Sequence, residues 1–217
     1  MPDADVILFD LGGVLFCDPW ETLLLTPGRG IADRLGIPRA AAEAAGGKLW
    51  RRYSVTPARE ADYWAELAAE LGTELPAGIV RDAGHELLRP SPWAQRLLGA
   101  AAATGAALGI ASNNTSFWYA RQFARLGLSE WIDPALVYVS QDLGVTKGTP
   151  GRGLLDIAAE DLTGRRVALV EDRESNLRRA AALGLRAVPY AYERDGDSFP
   201  GFTVSDFTDF SDSEVGR

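Results

Sequence analysis

Five short apolar runs, at residues 6–9, 107–111, 136–139, 167–170 and 187–190, read as strands, and most lead through turn residues into a helical pattern. Strand and helix in alternation place the crossovers on the faces of a sheet, so its strands run parallel and are buried on both sides. The fold class this predicts is α/β, a Rossmann-like doubly wound parallel sheet. Such sheets bind ligands just beyond the carboxyl ends of their strands. The residues that follow each run therefore carry the functional reading.

The alternation is broken once. Nearly a hundred residues separate the first run from the second with no convincing strand between them. Thr56-Pro57 reads as a helix start, a hydroxyl cap before proline at the first helical position. Glu60, Trp64, Leu67, Ala68 and Leu71 then recur at helical spacing until Gly72. A crossover needs far fewer residues than this. The expected organisation is a core of residues 1–16 and 91–217 with a helical cap of residues 17–90 inserted after the first strand. Hinged there, the cap would close over the strand ends as a lid.

The first run delivers Asp10 onto the turn Leu11-Gly12-Gly13-Val14. A carboxylate followed by two glycines suits a loop wrapping a small anion or metal, and equally suits an ordinary turn. The second run ends in Ser112-Asn113-Asn114-Thr115, where a hydroxyl, a side-chain amide and free N–H groups of the next helix make a phosphate pocket. After the third run comes a Gly-containing loop with Lys147, one of two lysines in a chain with twenty arginines. A chain that uses arginine nearly everywhere keeps lysine where a compact ammonium is needed. The fourth run ends in Glu171-Asp172. A helix N-terminus accounts for either acid alone, but not for carboxylates on two separate strand ends. Together with Asp10 they form a hard-oxygen set suited to Mg2+.

Composition excludes several alternatives. No apolar run approaches the ~18 residues of a membrane span, and the acidic start Met-Pro-Asp-Ala-Asp is unlike a signal peptide. The expectation is a cytoplasmic monomer or homodimer without membrane contact. Cys17 and His85 are the only residues of their types, which rules out an internal disulfide, a cysteine zinc cluster and a His-pair metal site. Of the net charge of −8, the stretch from Glu193 onward carries −5, with seven acidic residues against two arginines. The remainder has no basic stripe for nucleic acid. Phe199, Phe202, Phe207 and Phe210 predict that part of this tail packs on the body.

Asp10, Ser112, Lys147 and Glu171-Asp172, in this order at four strand ends, resemble the motifs of haloacid-dehalogenase (HAD) superfamily hydrolases, and the insert lies where that superfamily carries its helical type-1 cap. The stretches Ala111-Ser112-Asn113, Ser140-Gln141-Asp142-Leu143-Gly144 and Glu171-Asp172 are similar to the bacterial sugar-phosphate phosphatases, notably the α-glucose-1-phosphatase branch. The resemblance implies a phosphatase for a small phosphorylated metabolite. Asp10 would be the nucleophile, forming an aspartyl-phosphate. Mg2+ would be held by the Asp10 carboxylate, the Gly12 carbonyl, Asp172, and Glu171 directly or through water. Ser112, Asn113 and Lys147 would bind the phosphoryl group, with Lys147 stabilising the transition state.

Two positions depart from that pattern. Most phosphatases of the superfamily carry a second Asp two residues after the nucleophile as general acid and base, where this chain has Gly12. The loss removes a role worth ~10²–10⁴ in rate, although the glucose-1-phosphatase branch shares the glycine. It predicts a preference for better leaving groups, in sugar 1-phosphates, acyl phosphates or enol phosphates, over primary phosphate esters, and a gain for Gly12→Asp on poor leaving groups. The second departure is Lys147-Gly148-Thr149-Pro150, in place of the usual Lys-Pro pair. Two other readings stay open: a metal-independent 2-haloacid dehalogenase, and a HAD-fold protein with weakened or no activity that serves binding or regulation.

Overall fold

Alternation along the first strand sets the layers. In β1 (Val6–Phe9), Ile7 and Phe9 belong to one buried apolar cluster and Val6 and Leu8 to the other. The structure, a computed structural model, describes residues 4–191. The expected packing of Phe199, Phe202, Phe207 and Phe210 falls outside the described residues.

Five helices follow β1: α1 (Pro19–Leu25), α2 (Ile31–Arg34), α3 (Arg39–Tyr53), α4 (Glu60–Leu71) and α5 (Ala77–Leu87). Then α6 (Ala94–Ala102), β2 (Ala107–Ser112), α7 (Ser116–Leu126), β3 (Ile132–Val139), the single turn α8 (Ser140–Leu143), α9 (Leu154–Asp161), β4 (Val167–Glu171), α10 (Glu174–Ala182) and β5 (Arg186–Pro189) complete the described chain. The strands form one sheet in the order β3-β2-β1-β4-β5, every pair parallel. The chain thus builds outward from β1 on one side and then restarts at β4 on the other. Asp10 leaves the central strand at the point where the winding reverses, the usual ligand crevice of such sheets.

Two local readings need correction. The third strand begins at Ile132, ahead of Pro134, rather than at residue 136. It lies at the sheet edge, where proline is tolerated, and a register shift between Leu108 and Ile110 accommodates the extra length. Gly109 sits at this irregularity, where an added Cβ would lie 2.4 Å from the Leu136 carbonyl oxygen. The fourth helix begins at Glu60, not at Thr56-Pro57. Thr56 stays in the connecting loop because its carbonyl accepts a hydrogen bond from Gln141 Nε2 at 2.7 Å.

That bond is part of a seam between the insert and the sheet. Trp118 of α7 is buried against Trp50 and Tyr63, with ring centroids 5.7 and 5.0 Å away, which ties it to α3 and α4. One apolar cluster runs unbroken from β1 through Leu49, Tyr53, Tyr63 and Leu67 of the insert. Beside it, Gln141 Nε2 donates to the Tyr53 and Thr56 carbonyls, while its Oε1 accepts from the Ser116 N–H. Ser140 Oγ lies 2.6 Å from the Ser54 carbonyl oxygen and accepts from the Asn114 N–H. Opening the insert as a hinged lid would expose these rings and strand the buried polar groups. The seam therefore opposes the hinge expected from the sequence.

Gln141→Ala tests the seam directly. It leaves the buried Tyr53 carbonyl, and the part-buried Thr56 carbonyl and Ser116 N–H, without their partner, and an unsatisfied buried group costs ~1–3 kcal/mol. Urea denaturation is expected to show a loss of at least ~1 kcal/mol in unfolding free energy. An unchanged midpoint would mean that water replaces all three bonds.

Candidate active site

The carboxyl ends of β1 and β4 meet around one ammonium group. Lys147 Nζ lies 2.8 Å from Asp10 Oδ2 and 2.6 Å from Glu171 Oε2, and its side chain is fully buried. The unusual loop after Lys147 folds back on itself. Thr149 Oγ1 accepts from the Thr146 N–H at 2.9 Å, and the Thr146 carbonyl accepts from the Leu154 N–H at 3.0 Å. Asn113 Oδ1 accepts the Lys147 N–H at 2.8 Å. The extra residues are thereby absorbed without displacing Lys147 from the site. Asn113, read from the sequence as a phosphate ligand, uses its side-chain oxygen to hold the lysine loop.

Burial raises the Asp10 carboxyl above its ordinary range. Lys147 opposes that rise, Glu171 reinforces it, and donors on Lys147 and Ser112 pull back without cancelling it. For Lys147, burial disfavours the ammonium, but the charges of Asp10 and Glu171 prevail and hold it protonated. Burial also disfavours the Glu171 carboxylate, yet the Lys147 charge and hydrogen bonds around it carry it below its usual range. Those bonds occupy both of its oxygens, since Oε1 accepts from the N–H groups of Asp172 and Arg173 at 3.1 and 2.9 Å. Glu171 is thus chiefly the residue that aims Lys147 at Asp10.

Asp172 is different. It is partly exposed, but its Oδ1 is buried with no hydrogen-bond partner. Burial first, then the adjacent Glu171 carboxyl and the charges of Asp10, Glu171 and Asp18, push its pKa up to about 8. Asp10, Glu171 and Asp172 each offer an oxygen within 4.8 Å of the others. Ionised, the three acids and Lys147 sum to −2, which a divalent cation balances. A hard cation with oxygen preference fits this set. The Gly12 carbonyl lies on the same loop, where the nearby backbone bonds run from Gly13 N–H to the Phe16 carbonyl and from Phe16 N–H to the Leu11 carbonyl and leave it unused.

The phosphate pocket expected after β2 is only partly there. Ser112 Oγ is buried and makes no hydrogen bond, although it lies near enough to Asp10 to favour the ionised carboxylate. The N–H groups opening α7 are not free: those of Asn114, Thr115 and Ser116 donate to Ser140 Oγ, Asn114 Oδ1 and Gln141 Oε1. The seam with the insert has consumed them. Among the aromatic and basic residues of the insert, Trp20 packs against Gly46, Tyr53 against Tyr63, and Arg29 and Arg52 pair with Glu86 and Glu66. Their contacts are those of packing and surface pairing.

Sequence reasoning missed Asp18 and Arg173. An added Cβ at Gly12 would lie 2.2 Å from Asp18 Oδ1, and one at Gly13 would lie 2.6 Å from Asp172 Oδ2. The glycines therefore make room for two neighbouring carboxylates. Gly13 also has φ +72°, which a side chain would strain. Arg173 reaches Asp18 Oδ2 at 3.6 Å. No local motif marks Asp18, because its relation to Gly12 exists only once the loop closes.

No family model matches the chain, and no curated protein matches it in sequence. Solved structures do. A HAD family enzyme of Bacteroides thetaiotaomicron, solved as a magnesium complex, superposes with a TM-score of 0.67 at 16% identity, over 90% of this chain and 97% of that one. A putative β-phosphoglucomutase of Thermotoga maritima matches with a TM-score of 0.56 at 18% identity, over 92% and 89%. An L-2-haloacid dehalogenase of Xanthobacter autotrophicus gives 0.54 at 19%, over 86% and 77%. The chain has the haloacid-dehalogenase fold. Among the described residues no helix is long and apolar enough to cross a membrane.

The unpartnered Asp172 oxygen makes a prediction independent of activity. Mg2+ is expected to raise the melting temperature of the metal-free protein, at ~2–4 °C for each kcal/mol of binding linkage. Asp172→Asn removes a repelled carboxylate, so the metal-free variant should melt above the metal-free wild type and respond little to Mg2+. Equal Mg2+ shifts in both proteins would remove Asp172 from the cation set.

Proposed function

We propose that this protein is a Mg2+-dependent phosphatase that hydrolyses a small phosphorylated metabolite through an aspartyl-phosphate on Asp10. The observation carrying this reading is the Asp10–Lys147–Glu171 chain with Asp172 beside it. Lys147 holds the buried Asp10 carboxyl toward its anionic, nucleophilic form and donates to a transferring phosphoryl group. Ser112 Oγ supplies a second, desolvated donor for a phosphoryl oxygen. Asp10, Asp172 and the Gly12 carbonyl would hold the cation, with Glu171 beside them and bonded to Lys147. When bound, Mg2+ supplies positive charge that offsets the phosphoryl group's own.

The same fold serves a neighbour solved with magnesium and inorganic phosphate and another named as a dehalogenase. The charge balance favours the phosphatase reading here. Without a cation, burial and the neighbouring acids hold Asp172 toward its neutral form, whereas a cation would let the three acids ionise together and would attract phosphate. With no side chain at Gly12 to protonate a leaving oxygen, the loop alone favours leaving groups more acidic than an ordinary alcohol, sugar 1-phosphates among them.

The test is a Mg2+-dependent screen of purified protein on a sugar 1-phosphate, a sugar 6-phosphate and p-nitrophenyl phosphate. Turnover that needs Mg2+ and falls by at least ~10³-fold in Asp10→Asn is expected, since removing a nucleophile removes the covalent route. Halide release from a 2-haloacid without metal, with no phosphate release, would establish the dehalogenase instead. Silence on every substrate would leave a binding protein.

A further inference from the structure

Asp18 is the first residue of the insert's α1 boundary, and aspartate there usually caps its own helix through the side chain. It does not do so here: Asp18 occupies the N-cap position with φ −66° and ψ 116°, and its side chain makes no capping bond to α1. The carboxyl is turned back over the nucleophile's loop instead. Its Oδ1 and Cγ lie 2.2 and 3.1 Å from where a Cβ of Gly12 would stand, so it fills the space that a side chain at Gly12 would otherwise enter. Arg173, next to Asp172 in the chain, lies 3.6 Å from Oδ2. The side chain is 28% exposed, and it borders a polar groove shared with Trp20, Glu21 and Arg39. Asp18 thus lies against the loop that carries the nucleophile, with part of its carboxyl open to solvent.

We infer that Asp18 is the proton-transferring carboxyl of this site, supplied from the insert across the bare face of Gly12. The inference rests on the phosphatase reading above. In the first half-reaction an Asp10 oxygen bonds to phosphorus and the bond from phosphorus to the leaving oxygen breaks. The Asp18 O–H proton passes to that oxygen, which leaves as a neutral alcohol. In the second, a water oxygen bonds to phosphorus, the bond from Asp10 to phosphorus breaks, and Asp10 leaves as a carboxylate. One water proton passes to Asp18, restoring its O–H, and inorganic phosphate departs.

This placement bears on Gly12→Asp. Its Cβ would meet Asp18 Oδ1, the end of a side chain that can turn aside, so the variant displaces the Asp18 carboxyl as it adds one of its own. Gly12→Asp combined with Asp18→Gly clears that space.

The experiment compares wild type with Asp18→Asn, both as the full chain with Mg2+, on a primary alkyl phosphate and on p-nitrophenyl phosphate. For the alkyl ester, kcat is expected to fall ~10²–10⁴-fold, the ordinary worth of a general acid. p-Nitrophenolate needs no proton, so the variant should release a rapid burst of about one equivalent and then stall on the aspartyl-phosphate. A melting temperature near that of wild type checks the fold. Should Asp18→Asn melt early, Asp18→Glu, which keeps the acid, must retain more alkyl-phosphatase activity than Asp18→Asn for the inference to stand. Wild-type turnover with Asp18→Asn within two-fold on both substrates overturns the role of Asp18 and leaves the phosphatase standing. A wild type inactive on every phosphate ester overturns both.

Discussion

A lysine ammonium with no exposed side-chain surface is costly unless carboxylates surround it, and the site is organised around that requirement. Lys147 is held by Asp10 from the central strand and Glu171 from its neighbour. Removing one partner of such a buried pair typically costs ~3–5 kcal/mol, because the remaining charge is left uncompensated. The parallel register of β1 and β4, which pairs Phe9 with Val170, brings the two acids to one level. The lysine loop is then secured from the third side by Asn113. One ion-pair chain thus connects two strand ends and the lysine loop, whose sequence positions lie far apart. It also leaves Asp172 outside the Lys147 pairing, with a buried Oδ1 that makes no hydrogen bond, and that oxygen draws the cation reading.

The alternating pattern was sufficient for the sheet because burial on both faces leaves few ways to write a parallel strand. Val6-Ile7-Leu8-Phe9 and Val167-Ala-Leu-Val are apolar throughout, and both appear as expected. The edge strand was less legible. Asp133 and Pro134 are exposed there, and an edge tolerates polar residues and proline that a central strand does not. The helix start at Thr56-Pro57 failed for a different reason. Its cap signature is local, whereas the Thr56 carbonyl is claimed by Gln141, 85 residues away.

The same division holds in the site. Asp10, Lys147, Glu171 and Asp172 were legible because each sits at or near a strand end, where sequence order maps onto space. Ser112 was legible for the same reason, and its unpartnered hydroxyl agrees with an anion-binding role. The helix N–H groups after it were not, because whether a helix terminus is open depends on what packs against it. Ser140 and Gln141 cover the start of α7 and convert that terminus from a ligand site into part of the seam. Asp18 was invisible because its partner, Gly12, contributes only an absence.

The fixed insert and the position of Asp18 follow from one another. Asp18 stands where α1 begins, so its distance from Gly12 is set by how α1 packs, not by the strand that carries Asp10. Trp20, Leu23 and Leu24 of α1 are buried, and Trp20 fills the space over Gly46 of α3. Helix α3 in turn ends at Tyr53 and Ser54, whose carbonyls are bound by Gln141 and Ser140. An insert that swung open would carry Asp18 away from the loop. A reacting carboxyl loses its effect when misplaced by about 1 Å, so a proton donor mounted on the insert requires the seam to hold. A nucleophile whose acid follows two residues later needs no such seam, since both groups ride on one loop. With the role proposed for Asp18, the bare Gly12 and the Trp118–Gln141 seam are parts of the same arrangement, in which proton transfer would depend on the packing of the insert.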